Sequence, residues 1–154
     1  MTGKTITARV THRFTASPER VFDAWLDPEK IRVWMRMALQ DFGLPGDIRR
    51  VEVDPRVGGG FTFSDMRSGG EAVHWGTYRE IDRPRKLVFT WFTSAKDEKE
   101  NSSVVTLTIT PDGEGCHASI SHEIDAALAD YLEPTKKGWS TMLAQSDLLL
   151  SQEQ

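Results

Sequence analysis

Six stretches with strand character follow one another between Ile48 and about Ile124, and only short polar segments separate them. The six are Ile48–Val53, Phe61–Met66, Glu71–Ile81, Lys86–Thr93, Ser103–Thr110 and Gly115–His122. The polar segments that separate them are DPRVGGG, RSGG, DRPR, AKDEKEN and PDGEG, the last of which includes Gly115. Connections this short suit hairpins, whereas parallel strands need crossovers of roughly a dozen residues or more. The sequence therefore predicts a large antiparallel sheet, with the KDEKE run at Lys96 to Glu100 as a solvated hairpin tip.

A further strand and two helices precede this sheet. Between Thr5 and Phe14 the chain alternates with period two, and one face would carry Ile6, Ala8, Val10, His12 and Phe14. Ser17 before Pro18, and Asp27 before Pro28, each place an N-cap residue ahead of a proline at the first helical position. We expect two short helices there. The helical pattern then fails from Met35 to Gly46, where FGLPGD is typical of an irregular loop.

The chain ends with a pattern typical of a long amphipathic helix, from about Pro134 to Ser151, preceded by a short helical turn in DAALADYL. One face of this helix would carry Trp139, Met142, Leu143, Ser146, Leu149 and Leu150. Gly138 inside the helix suggests close approach of the helix to the sheet. A sheet with one apolar face needs a cover, and this helix is the one predicted element long enough to provide it. The predicted fold is α+β: a curved antiparallel sheet of about six to seven strands wrapped around its C-terminal helix.

Composition narrows the classes of function. A length of 154 residues fits one domain, here residues 1–154. The 19 Lys and Arg residues are scattered and are outnumbered by 23 Asp and Glu residues, which disfavours nucleic-acid binding. Neither a signal peptide nor an apolar run long enough for a membrane span is visible, so we expect a cytoplasmic protein. Cys116 is the single cysteine and no HxH or HExxH spacing occurs, so we expect no disulfide, no metal site and no cofactor.

The glycines of DPRVGGGFTFSDM raise the question of a phosphate-binding loop. Such a loop places its amides at the start of a helix, and the Walker type also needs Lys followed by Ser or Thr. Here Gly58, Gly59 and Gly60 run into an alternating strand instead. The pattern favours a bulge or a turn with positive φ that bends the sheet, with Phe61 and Phe63 on its concave face.

The chain resembles the homologues of the activator of the ninety-kilodalton heat-shock protein ATPase over nearly its whole length. The segments that carry the resemblance are VTHRFTASPERVFDAWLDPEKIRVWM, VEVDPRVGGGFTF, GTYREIDRPRKLVFTW, VTLTITPDGEGCHASISH and KKGWSTMLAQSDLLL. That family lies within the START-like, birch-pollen-allergen-like (SRPBCC) superfamily. The resemblance implies the helix-grip fold, which hosts lipid carriers, polyketide cyclases, hormone receptors and chaperone co-factors.

Two departures from the family limit what the resemblance implies. The segment MRMALQDFGLPGDIRR is longer than the corresponding stretch of many relatives. It would lie near the mouth of the cup that the curved sheet forms with the two short helices. The resemblance is to the C-terminal module of the eukaryotic co-chaperone, without the N-terminal domain that does much of its chaperone binding.

Aromatic side chains are abundant enough to line a cavity between sheet and helix. Such a cavity would suit a flat apolar ligand. The plain alternative is that these rings only pack the core. The predicted lining consists of Trp25, Trp34, Phe61, Phe63, Tyr78, Phe89, Trp91, His122, Trp139 and Met142.

Few polar groups are expected inside the cavity between sheet and helix. Strand parity points His122 and His12 inward and His117 outward, and Tyr78 adds a hydroxyl. These groups could act as acid, base or hydrogen-bond donor, or they could be histidines satisfied by structural hydrogen bonds. No catalytic motif is present.

Three functions follow as expectations. The first is a non-enzymatic domain that holds a hydrophobic small molecule or a partner segment between sheet and helix. The second is an enzyme of the polyketide cyclase type that uses His122, His12 or Tyr78 for proton transfer. The third is a regulator that binds a heat-shock chaperone ATPase through its outer surface. A monomer and a homodimer both fit, because the sheet has open edges.

Overall fold

The computed structural model describes residues 4–100 and 103–153. Its strands are β1 (Thr5–Phe14), β2 (Asp47–Val53), β3 (Gly60–Arg67), β4 (Gly70–Asp82), β5 (Lys86–Thr90), β6 (Val104–Asp112) and β7 (Gly115–Asp125). Its α-helices are α1 (Pro18–Ala24), α2 (Pro28–Asp41), α3 (Ala95–Glu100) and α4 (Leu132–Gln152), and a 3₁₀ helix spans Ala126–Tyr131.

All seven strands form one antiparallel sheet in the order β1-β7-β6-β5-β4-β3-β2. The register pairs Ala8 with His122 and Leu107 with Ile120. Because the chain returns by hairpins from β2 to β7, β1 and β2 become the two edges of the sheet. The antiparallel sheet predicted from the short connections is confirmed.

Helix α4 covers the concave face of the sheet, and α1 and α2 close one end. Both predicted N-caps are present: the Ser17 side chain accepts from the Arg20 amide, and the Asp27 side chain accepts from the Glu29 amide. On α4 the buried residues are Trp139, Leu143, Ser146, Leu149 and Leu150. The helix-grip arrangement expected from the sequence is therefore confirmed, and none of the described helices is both long and apolar enough to cross a membrane.

Two sequence-based boundaries were wrong. Helix α2 continues through Met35 to Asp41, where the helical pattern was expected to fail, because Met35, Ala38 and Leu39 extend the buried stripe that begins at Ile31. The chain then turns at Gly43, which has a φ of +86°. The connection between β5 and β6, expected as an open hairpin tip, contains the short helix α3.

The glycine-rich segment before β3 forms a turn that is joined to β4. Gly58 adopts a φ of +87°, which disfavours a side chain, and a Cβ at Gly59 would overlap the carbonyl oxygen of Asp54. The Gly58 amide donates to the Tyr78 carbonyl at 2.8 Å, and the Tyr78 amide donates to the Gly59 carbonyl at 2.9 Å. The segment therefore fixes the direction in which the chain enters β3. A strand follows it, whereas a phosphate-binding loop would be followed by a helix.

The expectation for Gly138 was wrong. A Cβ built at this position meets no atom within 4 Å, so the glycine does not serve close contact with the sheet. Its side of α4 faces open space instead.

Gly138→Ala is expected to raise the free energy of unfolding by about 1 kcal/mol, because alanine has the higher helix propensity and the added methyl group meets no neighbour. Urea denaturation of the two proteins measures the difference. A loss of stability would show that α4 lies closer to the sheet than described.

Candidate functional site

The inner part of the space between sheet and helix is almost filled. This inner chamber has a volume of about 20 Å³, which is room for about one water molecule. Around it the indoles of Trp25 and Trp34 stack at 4.5 Å, and those of Trp91 and Trp139 meet edge to face at 5.1 Å. Its lining consists of Trp25, Ile31, Trp34, Met35, Phe63, Tyr78, Leu87, Phe89, Trp91, Trp139 and Met142.

Two much larger spaces lie beneath the N-terminal half of α4, where the helix stands off the sheet. The β7-side opening has a volume of about 570 Å³ and is bordered by Ser103, His122, Ile124, Asp125, Leu128, Tyr131 and Thr135. The α2-side opening has a volume of about 510 Å³ and is bordered by Ala38, Leu39, Phe42, Leu44, Arg67 and Lys137. Both openings share His74, Trp91, Gly138 and Met142.

His74 lies in the floor between the two openings. Its imidazole stacks on the Trp91 indole with ring centroids 5.0 Å apart. Burial, with a smaller contribution from the nearby Arg67 charge, lowers the pKa of His74 to about 4. The ring is therefore neutral at pH 7, and it makes no hydrogen bond to any residue that the structure describes.

An ion pair borders the α2-side opening. Asp65 is 2% exposed, and its carboxylate accepts from Nε of Arg67 at 2.7 Å and from Nη2 at 3.2 Å. This two-point contact fixes the plane of the guanidinium group and compensates the buried carboxylate.

His122 is fixed as a neutral imidazole by hydrogen bonds at both ring nitrogens. Its Nδ1 lies 3.0 Å from the indole Nε1 of Trp139, which can only donate, so Nδ1 is the acceptor. Its Nε2 lies 2.8 Å from the Ser103 hydroxyl and carries the ring proton. Burial lowers the pKa of His122 to about 4. Protonation would also break the bond from Trp139.

The structure brings most of the predicted lining together, although not all of it at open space. Trp25, Trp34, Phe63, Tyr78 and Phe89 border only the nearly filled inner chamber, whereas Trp91, Trp139 and Met142 also border the openings. Phe61 packs against Phe63, Tyr78, Phe89 and Trp91 and borders none of the three spaces between sheet and helix. His122 borders the β7-side opening. Whether these residues bind a ligand stays a prediction.

The other polar candidates have structural surroundings. His12 lies outside these spaces, where its Nε2 contacts Asp147 of α4 at 2.8 Å and links β1 to the helix. Burial raises the pKa of the Tyr78 phenol above its usual value. His117 is exposed on the outer face, as strand parity indicates. Among the described residues, no group of three or more His, Cys, Asp or Glu side chains could hold a metal ion.

His74, Asp65 and Arg67 were not predicted from the sequence as site residues, although a signal existed for each of them. His74 shares strand parity with the inward Tyr78, and Asp65 and Arg67 share parity with Phe61 and Phe63. Alternation alone could have placed these polar groups on the concave face.

The buried His122 and the half-buried His74, both neutral at pH 7, predict a stability that depends on pH. Each binds a proton near pH 6.5 in the unfolded chain but only near pH 4 in the folded protein. Their contribution is fully present above pH 6.5 and is lost as the pH falls toward 4, by up to about 1.4 kcal/mol per pH unit for each histidine. Urea denaturation between pH 7 and pH 4 measures the loss.

His74→Phe is the informative variant for this prediction, because it keeps a ring on Trp91 and removes one titrating group. The slope of stability against pH should fall by up to about 1.4 kcal/mol per pH unit in this window, which is the share of one histidine. An unchanged slope would show that His74 takes up its proton equally well in the folded and unfolded states.

Comparison with known proteins identifies the family. The model of the family described as "Activator of Hsp90 ATPase homolog 1-like protein" matches residues 15–149. Among proteins with curated descriptions, none matches the chain.

Solved structures show the same fold. Protein CV1439 from Chromobacterium violaceum is 27% identical, with a TM-score of 0.71 over 93% of this chain and 95% of that one. Protein Ms6760 from Mycobacterium smegmatis is 22% identical, with a TM-score of 0.76 over 100% of both chains. CalU16 from Micromonospora echinospora is 22% identical, with a TM-score of 0.70 over 98% of this chain and 80% of that one. The chain belongs to the family of Activator of Hsp90 ATPase homolog 1-like proteins.

Proposed function

We propose that the chain works in the cytoplasm as a single START-like domain that binds a hydrophobic small molecule beneath the N-terminal half of α4. One observation supports the proposal most directly: the openings of about 570 and 510 Å³ lie between helix and sheet, whereas the inner chamber is almost filled. Drug-sized ligands occupy pockets of roughly 300–1,000 Å³.

The surfaces of the openings support an apolar ligand. No fully buried side-chain nitrogen or oxygen atom of the described residues lacks a hydrogen-bond partner. A ligand is therefore not needed to satisfy a buried polar group, and its binding energy would come mainly from contact with Trp91, Met142 and the apolar rim. The flexible side chain of Met142 borders all three spaces and can adapt to ligands of different shape.

The ligand-binding function is favoured over the polyketide-cyclase alternative by the state of the candidate acids and bases. Both nitrogens of His122 are engaged in hydrogen bonds, and its pKa of about 4 opposes proton uptake at neutral pH. The Tyr78 phenol borders a chamber too small for a substrate, and His12 lies elsewhere.

Thermal-shift measurements with a panel of lipids and flat aromatic compounds test the proposal. A ligand at about 100 times its Kd stabilises the folded state by about 2.7 kcal/mol, which raises the Tm by several degrees. A folded sample that shows no shift with any member of the panel would contradict the proposal.

Exposed apolar residues supply matched variants for this test. Tyr131 is 61% exposed at the rim of the β7-side opening, and Leu148 is 46% exposed on α4 away from both openings. Tyr131→Ala should weaken binding severalfold, whereas Leu148→Ala should leave binding unchanged. Equal effects of the two variants would place the ligand elsewhere.

Regulation of a heat-shock chaperone ATPase through the outer surface is the second candidate. It is supported by the family and by the Trp75 and Phe92 rings, which meet at 6.5 Å on the face of the sheet opposite to His74 and Trp91. A pull-down followed by an ATPase assay tests it. Trp75→Ala should remove any stimulation and Tyr131→Ala should leave it, and the absence of stimulation by the unaltered protein would contradict this candidate.

A further inference from the structure

We infer that the bound molecule is elongated and passes beneath α4 at Gly138, so that one molecule occupies both openings at once. This inference rests on the proposed function and adds the shape of the ligand and the residue that admits it. The alternatives are a compact ligand in one opening and two small ligands bound independently.

Residues that border both openings are the first evidence for the inference. His74, Trp91, Gly138 and Met142 border both openings. Below, the His74 and Trp91 rings form a stacked pair on the sheet, and above, Gly138 and Met142 lie one turn apart on the same side of α4. The two openings therefore meet between this ring pair and the helix.

The absence of a side chain at Gly138 is the second evidence for the inference. Gly138 is an interior residue of α4, where alanine has the higher helix propensity, and the direction of its absent Cβ holds no atom within 4 Å. A longer side chain at this position would extend into the passage. Glycine thus keeps the passage open at the cost of helix propensity.

The polar groups at the two ends define the class of molecule. Arg67 and Lys137 are the only Lys or Arg side chains among the described residues that border either opening, and both lie on the α2 side. The β7 side carries the Asp125 carboxylate instead. An apolar chain with one carboxylate end would place that end in the α2-side opening, where Lys137 can offset the nearby Asp41, and its tail beneath Gly138.

A series of straight-chain alkyl carboxylates of increasing length tests the inference by isothermal titration. The affinity of the unaltered protein should continue to rise after one opening is filled, by up to roughly fourfold for each buried methylene. Gly138→Leu should bind the short members normally and lose at least tenfold in affinity for the longest ones. Ser140→Leu is the matched control, because Ser140 is exposed on the opposite side of α4. The affinities of Ser140→Leu for the whole series should match those of the unaltered protein.

The outcomes separate the inference from the proposed function. If Gly138→Leu and the unaltered protein show the same dependence on chain length, the passage is not used and the inference is overturned, while the proposed function stands. If no apolar molecule binds the unaltered protein, the proposed function fails and the inference fails with it.

A second measurement applies if Gly138→Leu does not fold. Phe42 and Tyr131 lie at the rims of the two openings and report on them separately by NMR. With the longest carboxylate both ring signals should shift together and saturate at one molecule per chain. A shift at one rim only, or saturation at two molecules, would overturn the inference.

Discussion

Gly76→Ala is expected to lower the free energy of unfolding by about 3 kcal/mol or more. Gly76 lies in β4 where the end of β5 crosses close to it. A Cβ at this position would overlap the carbonyl oxygen of Thr90 and lie 2.7 Å from Cζ of Phe61. The Thr77 amide donates to the Thr90 hydroxyl at 2.9 Å, so the backbone of β5 cannot retreat without losing this bond.

Gly69→Ala is the matched control for this substitution. Gly69 lies in the turn between β3 and β4, and a Cβ there meets no atom within 4 Å. Its effect on stability should stay within about 0.5 kcal/mol. Chemical denaturation compares both variants with the unaltered protein, and similar small effects would contradict the close approach of β4 and β5.

Trp139→Ala is expected to lower the free energy of unfolding by about 3–5 kcal/mol, the range found when a buried tryptophan is truncated. Trp139 is 3% exposed, and its indole contacts Trp25, Phe89, Trp91 and His122. Its side chain separates the inner chamber from the β7-side opening, because it borders both. Denaturation measures the loss, and a change below about 1 kcal/mol would contradict this central position.

Trp139→Phe separates the hydrogen bond from the packing. The phenyl ring keeps an aromatic surface but leaves Nδ1 of His122 without its hydrogen-bond donor. The free energy of unfolding should fall by about 1–3 kcal/mol as a result. The pKa of His122 should also rise from about 4 toward its usual value, because the indole bond favours the neutral ring. NMR titration of the imidazole signals measures this pKa. An unchanged pKa would show that the indole bond does not influence the titration.

The sequence predicted those parts of the fold that depend on local chemistry. The N-caps at Ser17 and Asp27, and the alternation in β1, β3 and β7, act within a few residues, so they can be read directly. The end of α2 was missed because polar residues at Gln40 and Asp41 obscured the stripe formed by Ala38 and Leu39.

The candidate site was less predictable. Parity can place Phe63, Phe89 and His74 on the concave face, but it cannot tell whether a ring meets another ring or open space. That difference depends on how far α4 stands from the sheet, which the packing of the whole chain determines. Gly138 illustrates this: glycine fits both close contact and an open passage, and the structure shows open space.

Methyl NMR of the five methionines tests the central claim most directly. Met142 borders the inner chamber and both openings, and Met35 borders the chamber and the α2-side opening, whereas Met37 and Met66 border none of them. With a long-chain carboxylate bound, the account predicts intermolecular nuclear Overhauser effects to the Met142 and Met35 methyl groups and none to Met37 or Met66. Contacts confined to Met37 or Met66, or none to any methionine at saturating ligand, would contradict a binding site beneath α4.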